Sequence, residues 1–251
     1  MVTKMTDFFD EELLEDRNVY RSDSENRPSK RDESEPLAIV ECFETRSRRG
    51  LIDYFLTAEI PDRGQNLSQI ATDSTVSRNT VGRHVKALCD FDVLTEHGDG
   101  DGRIKRYSVH QGSDNPDLIR DVNEALAEQW VQNVDGAVEG RGGYRRRDDE
   151  TARLFVNELF GSKSRRQLCD AVLTEEFPES GLNQSELGDL ADLSRNSVMR
   201  HIETIVGMGL LEDANSTGIR TYRPTDDDVG WLLRELNQSL AASFIRNVSE
   251  S

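Results

Sequence analysis

The chain has 251 residues, enough for two domains of ordinary size, of which 35% are hydrophobic, and its 48 acidic against 31 basic side chains leave a net charge of -17. That balance excludes a polyanion binder working through bulk positive charge. No run approaches the roughly 18 apolar residues of a bilayer span.

Residues 1–36 are polar and charged and are expected to form a disordered acidic tail, with Ser22–Lys30 as its least foldable part. Within it Phe8, Phe9, Leu13 and Leu14 sit at helical spacing among acids. That pattern fits a partner-binding segment or a frayed extension. Thr6–Glu12 lacks the basic start of a secretory signal, so a cytoplasmic, nucleoid-associated protein is expected.

A first domain is expected over 37–112. Apolar residues Leu51, Ile52, Phe55 and Leu56 follow a helical period after Arg48-Arg49. A Pro/Gly/Asn turn spans Pro61–Asn66, then a short helix begins around Ser68, whose serine is the expected N-cap, as Ser185 is in the second copy. A longer helix follows Ser77, with Val81, Val85 and Leu88 on one face. Two strands, Val93–Glu96 and Arg103–Val109, flank a glycine- and aspartate-rich turn. A connecting helix is expected over 113–138, with Leu118, Val122 and Leu126 on one side, then a flexible linker over 139–150 whose Arg141–Arg147 segment is basic.

The pattern then starts again. Ser47–Leu94 aligns without a gap on Ser164–Leu211, with 19 of 48 positions identical. Two copies at this spacing indicate two similar small domains, not a solenoid. The second domain is expected over 151–225, with strands Leu210–Glu212 and Ile219–Arg223, and a C-terminal helix over 226–251 carrying Leu232, Leu233, Leu236 and Leu240. The fold class is therefore mainly α with small β-hairpins (α+β): two winged helix-turn-helix domains in tandem, each followed by a long helix.

The densest match is Ser77-Arg78-Asn79-Thr80-Val81-Gly82-Arg83-His84 against Ser194-Arg195-Asn196-Ser197-Val198-Met199-Arg200-His201. Followed by Val93-Leu94 and Gly209-Leu210-Leu211, these segments resemble the recognition helices of ArsR/MarR-like winged-helix transcription regulators. The resemblance covers roughly 75 residues of each half. It implies DNA binding by the second helix of each unit, and long helices (Leu118–Val134, Val229–Val248) that support the wings or form a dimer with a second copy of this chain. The cysteine ligand pair of the metal-sensing members is absent, so metal sensing is not implied.

The acidic surface has only five lysines among its 31 basic residues. Such a surface resembles the proteins of salt-loving archaea, where concentrated salt screens self-repulsion; an ordinary acidic cytosolic protein stays open as the alternative. By count, 37–115 carries about -2 and 151–228 about -6. Nucleic-acid affinity must then come from local basic faces, and in concentrated salt from base contacts more than from counterion release.

With Val81, Val85 and Leu88 turned inward, Arg78, Asn79, Gly82, Arg83 and Lys86 are left outward. Arginine matches guanine O6/N7 and asparagine adenine N6/N7. Ser77 and Thr80 suit phosphate. In the second copy the candidates are Arg195, Asn196, Ser197, Arg200 and Met199, the last suited to a thymine methyl where the first copy has Gly82; Glu203 replaces Lys86. Wing candidates are Arg103, Lys105 and Arg106, then Arg220 and Arg223, for phosphate or the minor groove. Tyr107 and Tyr222 are expected to pack at the core edge. Arg48-Arg49 and Arg165-Arg166 are expected to pair with nearby acids or touch phosphate.

Catalysis is not expected: there is no phosphate-binding GxxxxGK[ST], HExxH or GxSxG motif and no Cys/His pair. Cys89 and Cys169 stand where the sister copy has Val206 and Ile52 and are read as small core hydrophobes. His84 and His201 lack ligand partners at metal-binding spacing, and no cofactor is expected. The function expected is sequence-specific double-stranded DNA binding in transcription regulation, the two recognition helices acting as a pseudo-dimer. The alternatives are a tandem winged-helix protein-interaction scaffold in chromosome segregation or the transcription machinery, and a plasmid replication initiator.

Overall fold

Four helices carry the first half of the chain: α1 (Ala38–Cys42), α2 (Arg46–Thr57), α3 (Leu67–Asp73) and α4 (Arg78–Asp90). Each returns, at equal length and 117 positions later, as α6 (Phe155–Leu159), α7 (Lys163–Thr174), α8 (Gln184–Leu190) and α9 (Arg195–Gly207). Short strands β1 (Gln65–Asn66), β2 (Leu94–Gly98) and β3 (Lys105–Val109) belong to the first half, β4 (Leu211–Asp213) and β5 (Tyr222–Pro224) to the second. A long helix closes each half, α5 (Asn115–Asp135) and α10 (Asp228–Ser249). The computed structural model describes residues 37–98, 104–135, 154–214 and 219–249. The expected acidic tail with Phe8, Phe9, Leu13 and Leu14, the linker with Arg141–Arg147, and Arg103 lie outside them. The architecture is mainly helical with two small antiparallel sheets, an α+β arrangement.

The helix starts repeat because the capping residues repeat. Thr45 and Ser162 accept from the amides of Arg48 and Arg165, and Ser77 and Ser194 from those of Thr80 and Ser197. The short helices are capped two residues earlier than expected. Asn66 and Asn183, not Ser68 and Ser185, hold the N-cap, each accepting two backbone amides while Gln69 or Glu186 reaches back to the cap amide. The serines already sit inside the first turn, where their own amides need a cap.

Helix ends repeat as well. Asp92 (φ 52°) and Gly209 (φ 78°) take the left-handed conformation just past α4 and α9. The amides of Val93 and Leu210 then turn back to the carbonyls of Leu88 and Ile205, at 3.0 and 3.1 Å. This is why the ladders begin at Leu94 and Leu211 and not at the expected Val93 and Leu210: those two amides are already used. The first sheet runs β1-β3-β2 with Gln65 opposite Tyr107 and Leu94 opposite Val109. In the second, β5 covers Tyr222–Pro224, shorter than the expected Ile219–Arg223, and a single Leu182–Tyr222 bridge replaces β1. Gly64 (φ 69°) and Gly181 (φ 71°) precede these pairings, where a Cβ would lie 2.8 Å from the Tyr107 carbonyl oxygen and 2.7 Å from that of Tyr222.

The long helices cross over. α5 packs on α6 and reaches α9, α10 packs on α1 and reaches α4, and the two pack on each other. Their buried stripes correspond residue for residue: Ile119, Val122 and Leu126 in α5, Leu233, Leu236 and Leu240 in α10, all at 0% exposure. Leu118 and Leu232, expected in those stripes, are only half-buried. The polar clamps correspond too. Asn247 Nδ2 donates to the carbonyls of Cys89 and Asp90 at the end of α4, and Asn133 Nδ2 to those of Val206 and Gly207 at the end of α9. The Asn237 side chain accepts from the Ile39 amide at the start of α1, and that of Asn123 from the Phe155 amide at the start of α6.

The equivalent residues Phe43 and Phe160, both fully buried, stack with ring centroids 5.5 Å apart. Beside them Arg49 donates to the Gly161 carbonyl at 3.1 Å and Asn157 to the Arg49 carbonyl at 3.0 Å. The two halves are thus related by a pseudo-two-fold passing near the phenylalanine pair, and their apolar side chains form one continuous core. The stripes expected to support a dimer of two chains are used inside this one.

Candidate nucleic-acid interface

α3 and α4 pack on each other across a turn in which Thr75 takes φ 58°; Asp192, φ 53°, does the same between α8 and α9. Val81, Val85 and Leu88 are fully buried, as are Val198 and Ile205, with Ile202 nearly so. This inward face fixes what points out. Arg78, Asn79, Arg83 and Lys86 on α4, and Arg195, Asn196, Met199 and Arg200 on α9, are all exposed. None of Arg78, Asn79, Arg83, Arg195, Asn196 and Arg200 makes a hydrogen bond or ion pair with another described residue. Two outward Arg-Asn-Arg stripes therefore stand ready for an external acceptor.

Ser77 and Ser194 serve as caps, and their hydroxyls also meet those of Thr80 and Ser197, at 2.7 and 3.0 Å. The caps leave the rest of each helix's first-turn amides facing outward, a setting that favours anionic oxygen.

The remaining candidates behave differently. Lys86 lies 3.7 Å from Asp90. On the β-hairpins, Lys105 pairs with Glu96 at 2.8 Å, Arg220 with Asp213 and with Glu203, both at 2.7 Å, and Arg223 with Glu212 at 2.5 Å. Arg106 is half-buried, with Nη1 3.4 Å from the Gly64 carbonyl oxygen. Lys105, Arg220 and Arg223 are thus matched by the protein's own carboxylates, in exposed pairs that stabilise by at most about 1 kcal/mol. Sequence reasoning treated Glu203 only as the replacement for Lys86. The legible signal was the coupled change, Lys86 and Lys105 in the first half becoming Glu203 and Arg220 in the second.

Arg48 and Arg165 are buried: Arg48 donates to the Glu41 carbonyl and Arg165 pairs with Glu158 at 2.7 Å. Arg49 and Arg166 donate to the carbonyls of Phe43 and Phe160. These arginines fasten the α1–α2 and α6–α7 corners and are not presented to a ligand. Burial, with Arg48 and Arg83 next, lowers the pKa of His84; burial, with Arg165 and Arg200, lowers that of His201. Burial pushes the thiols of Cys42, Cys89 and Cys169 up to about 12, so all three remain protonated. Tyr107 and Tyr222 are buried on the hairpins, as expected. Among the described residues no group of His, Cys, Asp and Glu is arranged to hold a metal ion, and no helix is long and apolar enough to cross a membrane.

No family model, curated protein or solved structure matches the chain.

Proposed function

We propose that the chain is a tandem winged helix-turn-helix protein that binds double-stranded DNA by sequence, α4 and α9 being the recognition helices, and that it regulates transcription. The observation that carries this reading is the pair of outward, internally unpartnered stripes, Arg78-Asn79-Arg83 and Arg195-Asn196-Arg200, on helices of equal length in equivalent settings. Bidentate arginine and asparagine are the side chains that read purine edges in the major groove. The pseudo-two-fold gives the geometry its purpose, because two recognition helices so related engage half-sites in inverted orientation about one helical turn, ~34 Å, apart. The acidic, lysine-poor surface fits a cytoplasm rich in salt, where base contacts must supply what phosphate contacts lose.

A second reading has its own observation. Three wing cations are neutralised internally and the chain is strongly acidic, which suits a winged-helix scaffold that binds protein. Fluorescence anisotropy with DNA selected from a random pool, in concentrated potassium chloride, separates the two. DNA binding is expected, with Arg78→Ala/Arg83→Ala and Arg195→Ala/Arg200→Ala each weakening it at least tenfold. Binding indifferent to both double variants, or absent, would favour the scaffold.

A further inference from the structure

The two recognition faces are not copies of each other, and the differences are concentrated on one stripe. Asn79, Gly82, Arg83 and Lys86 correspond to Asn196, Met199, Arg200 and Glu203, spaced i, i+3, i+4, i+7 and so lying along one side of the helix. The asparagine and the arginine are kept. What changes is Gly82 to Met199, which stands 54% exposed, and Lys86 to Glu203.

Glu203 has a partner on the second hairpin. Arg220 donates to its Oε1 at 2.7 Å while using another nitrogen on Asp213, also at 2.7 Å. The wing base has the same ion pair in both halves, Lys105 with Glu96 and Arg220 with Asp213. Only the second half extends it onto the recognition helix. A carboxylate so oriented accepts hydrogen bonds and donates none, so it repels phosphate and selects a base presenting an amino group.

We infer that the two halves read unlike half-sites: α9 requires a thymine at Met199 and a cytosine at Glu203, where α4, with Gly82 and Lys86, requires neither. The inference rests on the DNA-binding reading above. Met199 packs its methylthio group on the thymine 5-methyl, and the free oxygen of Glu203 accepts from the cytosine N4 amino group. Gly82 instead lets the backbone come close to the groove, and Lys86 makes a sequence-blind phosphate contact.

Selection of bound sequences from random double-stranded DNA in concentrated potassium chloride tests this on the full chain. The wild type is expected to enrich an inverted repeat with one half-site carrying the extra thymine and cytosine. Replacing that cytosine is expected to weaken binding roughly 5- to 150-fold. Glu203→Gln should move the preference from cytosine towards adenine, because the amide both donates and accepts. Met199→Gly/Glu203→Lys should make the selected site symmetric. Both side chains changed here are exposed, and circular dichroism of each variant verifies its folding. A wild-type site with two identical half-sites, or an unlike half-site unchanged in the double variant, overturns the inference while leaving DNA binding intact. Absence of any enriched sequence overturns both.

Discussion

Asp92 offers a quantitative test of how the halves are joined. It is 7% exposed, sits at φ 52°, and accepts from Arg246 and from Asn247 Nδ2, the latter at 2.8 Å, both on α10 of the other half. Removing the carboxylate deletes two hydrogen bonds to a charged acceptor, worth about 1.5–3 kcal/mol each in a buried site. Arg246 is 59% exposed, so solvent screening reduces its share, and a combined loss of about 2 kcal/mol is reasonable. Left-handed backbone adds about 1 kcal/mol against alanine, which lacks the local hydrogen bonding that lets aspartate tolerate it. Asp92→Ala should therefore cost about 3 kcal/mol. Asp92→Gly, which copies the sister residue Gly209, should be less harmful by about 1 kcal/mol. Guanidinium unfolding followed by circular dichroism and by fluorescence of Trp130 and Trp231 measures both, and the two probes should report one transition because the long helices cross between halves. Equal losses for the two variants would refute the strain argument. An alanine variant within 0.5 kcal/mol of wild type, on the order of an ordinary surface change, would refute the clamp.

Gly64→Ala and Gly181→Ala each force a Cβ to within 2.8 and 2.7 Å of a tyrosine carbonyl oxygen at positive φ. Each should cost about 2 kcal/mol or more and do so to a similar extent, as thermal unfolding of the two variants will reveal. The lowered pKa values of His84 and His201 mean that the folded chain binds fewer protons than the unfolded one. Their contribution is complete above the unfolded value of about 6.5 and is lost as pH falls through it towards the folded value. Denaturation midpoints should accordingly drop between pH 7.5 and pH 5.5, and His84→Gln/His201→Gln should flatten that slope; an unchanged slope would remove the histidines as its source.

Much of the local architecture was legible from residues alone. The duplication set the helix bounds of both halves, and the Val81, Val85, Leu88 period identified the outward faces. Capping was read less well, because a serine inside the first turn and an asparagine before it look alike in sequence, and only the backbone shows which amides are unpaired. α1 and α6 went unseen, since five residues such as Ala38–Cys42 are too few to express a helical period. The crossing of α5 and α10 was out of reach for a different reason. A stripe such as Ile119, Val122 and Leu126 declares that it will be buried without naming its partner, and residues over a hundred positions apart close this core. The hairpin pair Glu96–Lys105 was hidden because it joins diagonal neighbours, which meet only once the register is known.

The interlocked long helices also bear on how such a protein can change over time. In an assembly of two identical chains, one altered codon alters both halves at once, and dilution can separate them. Here each half completes its packing with a helix supplied by the other, yet each is written by its own stretch of gene. Concentration no longer governs their pairing, and a substitution such as that at Met199 can change one half while leaving the other as it was.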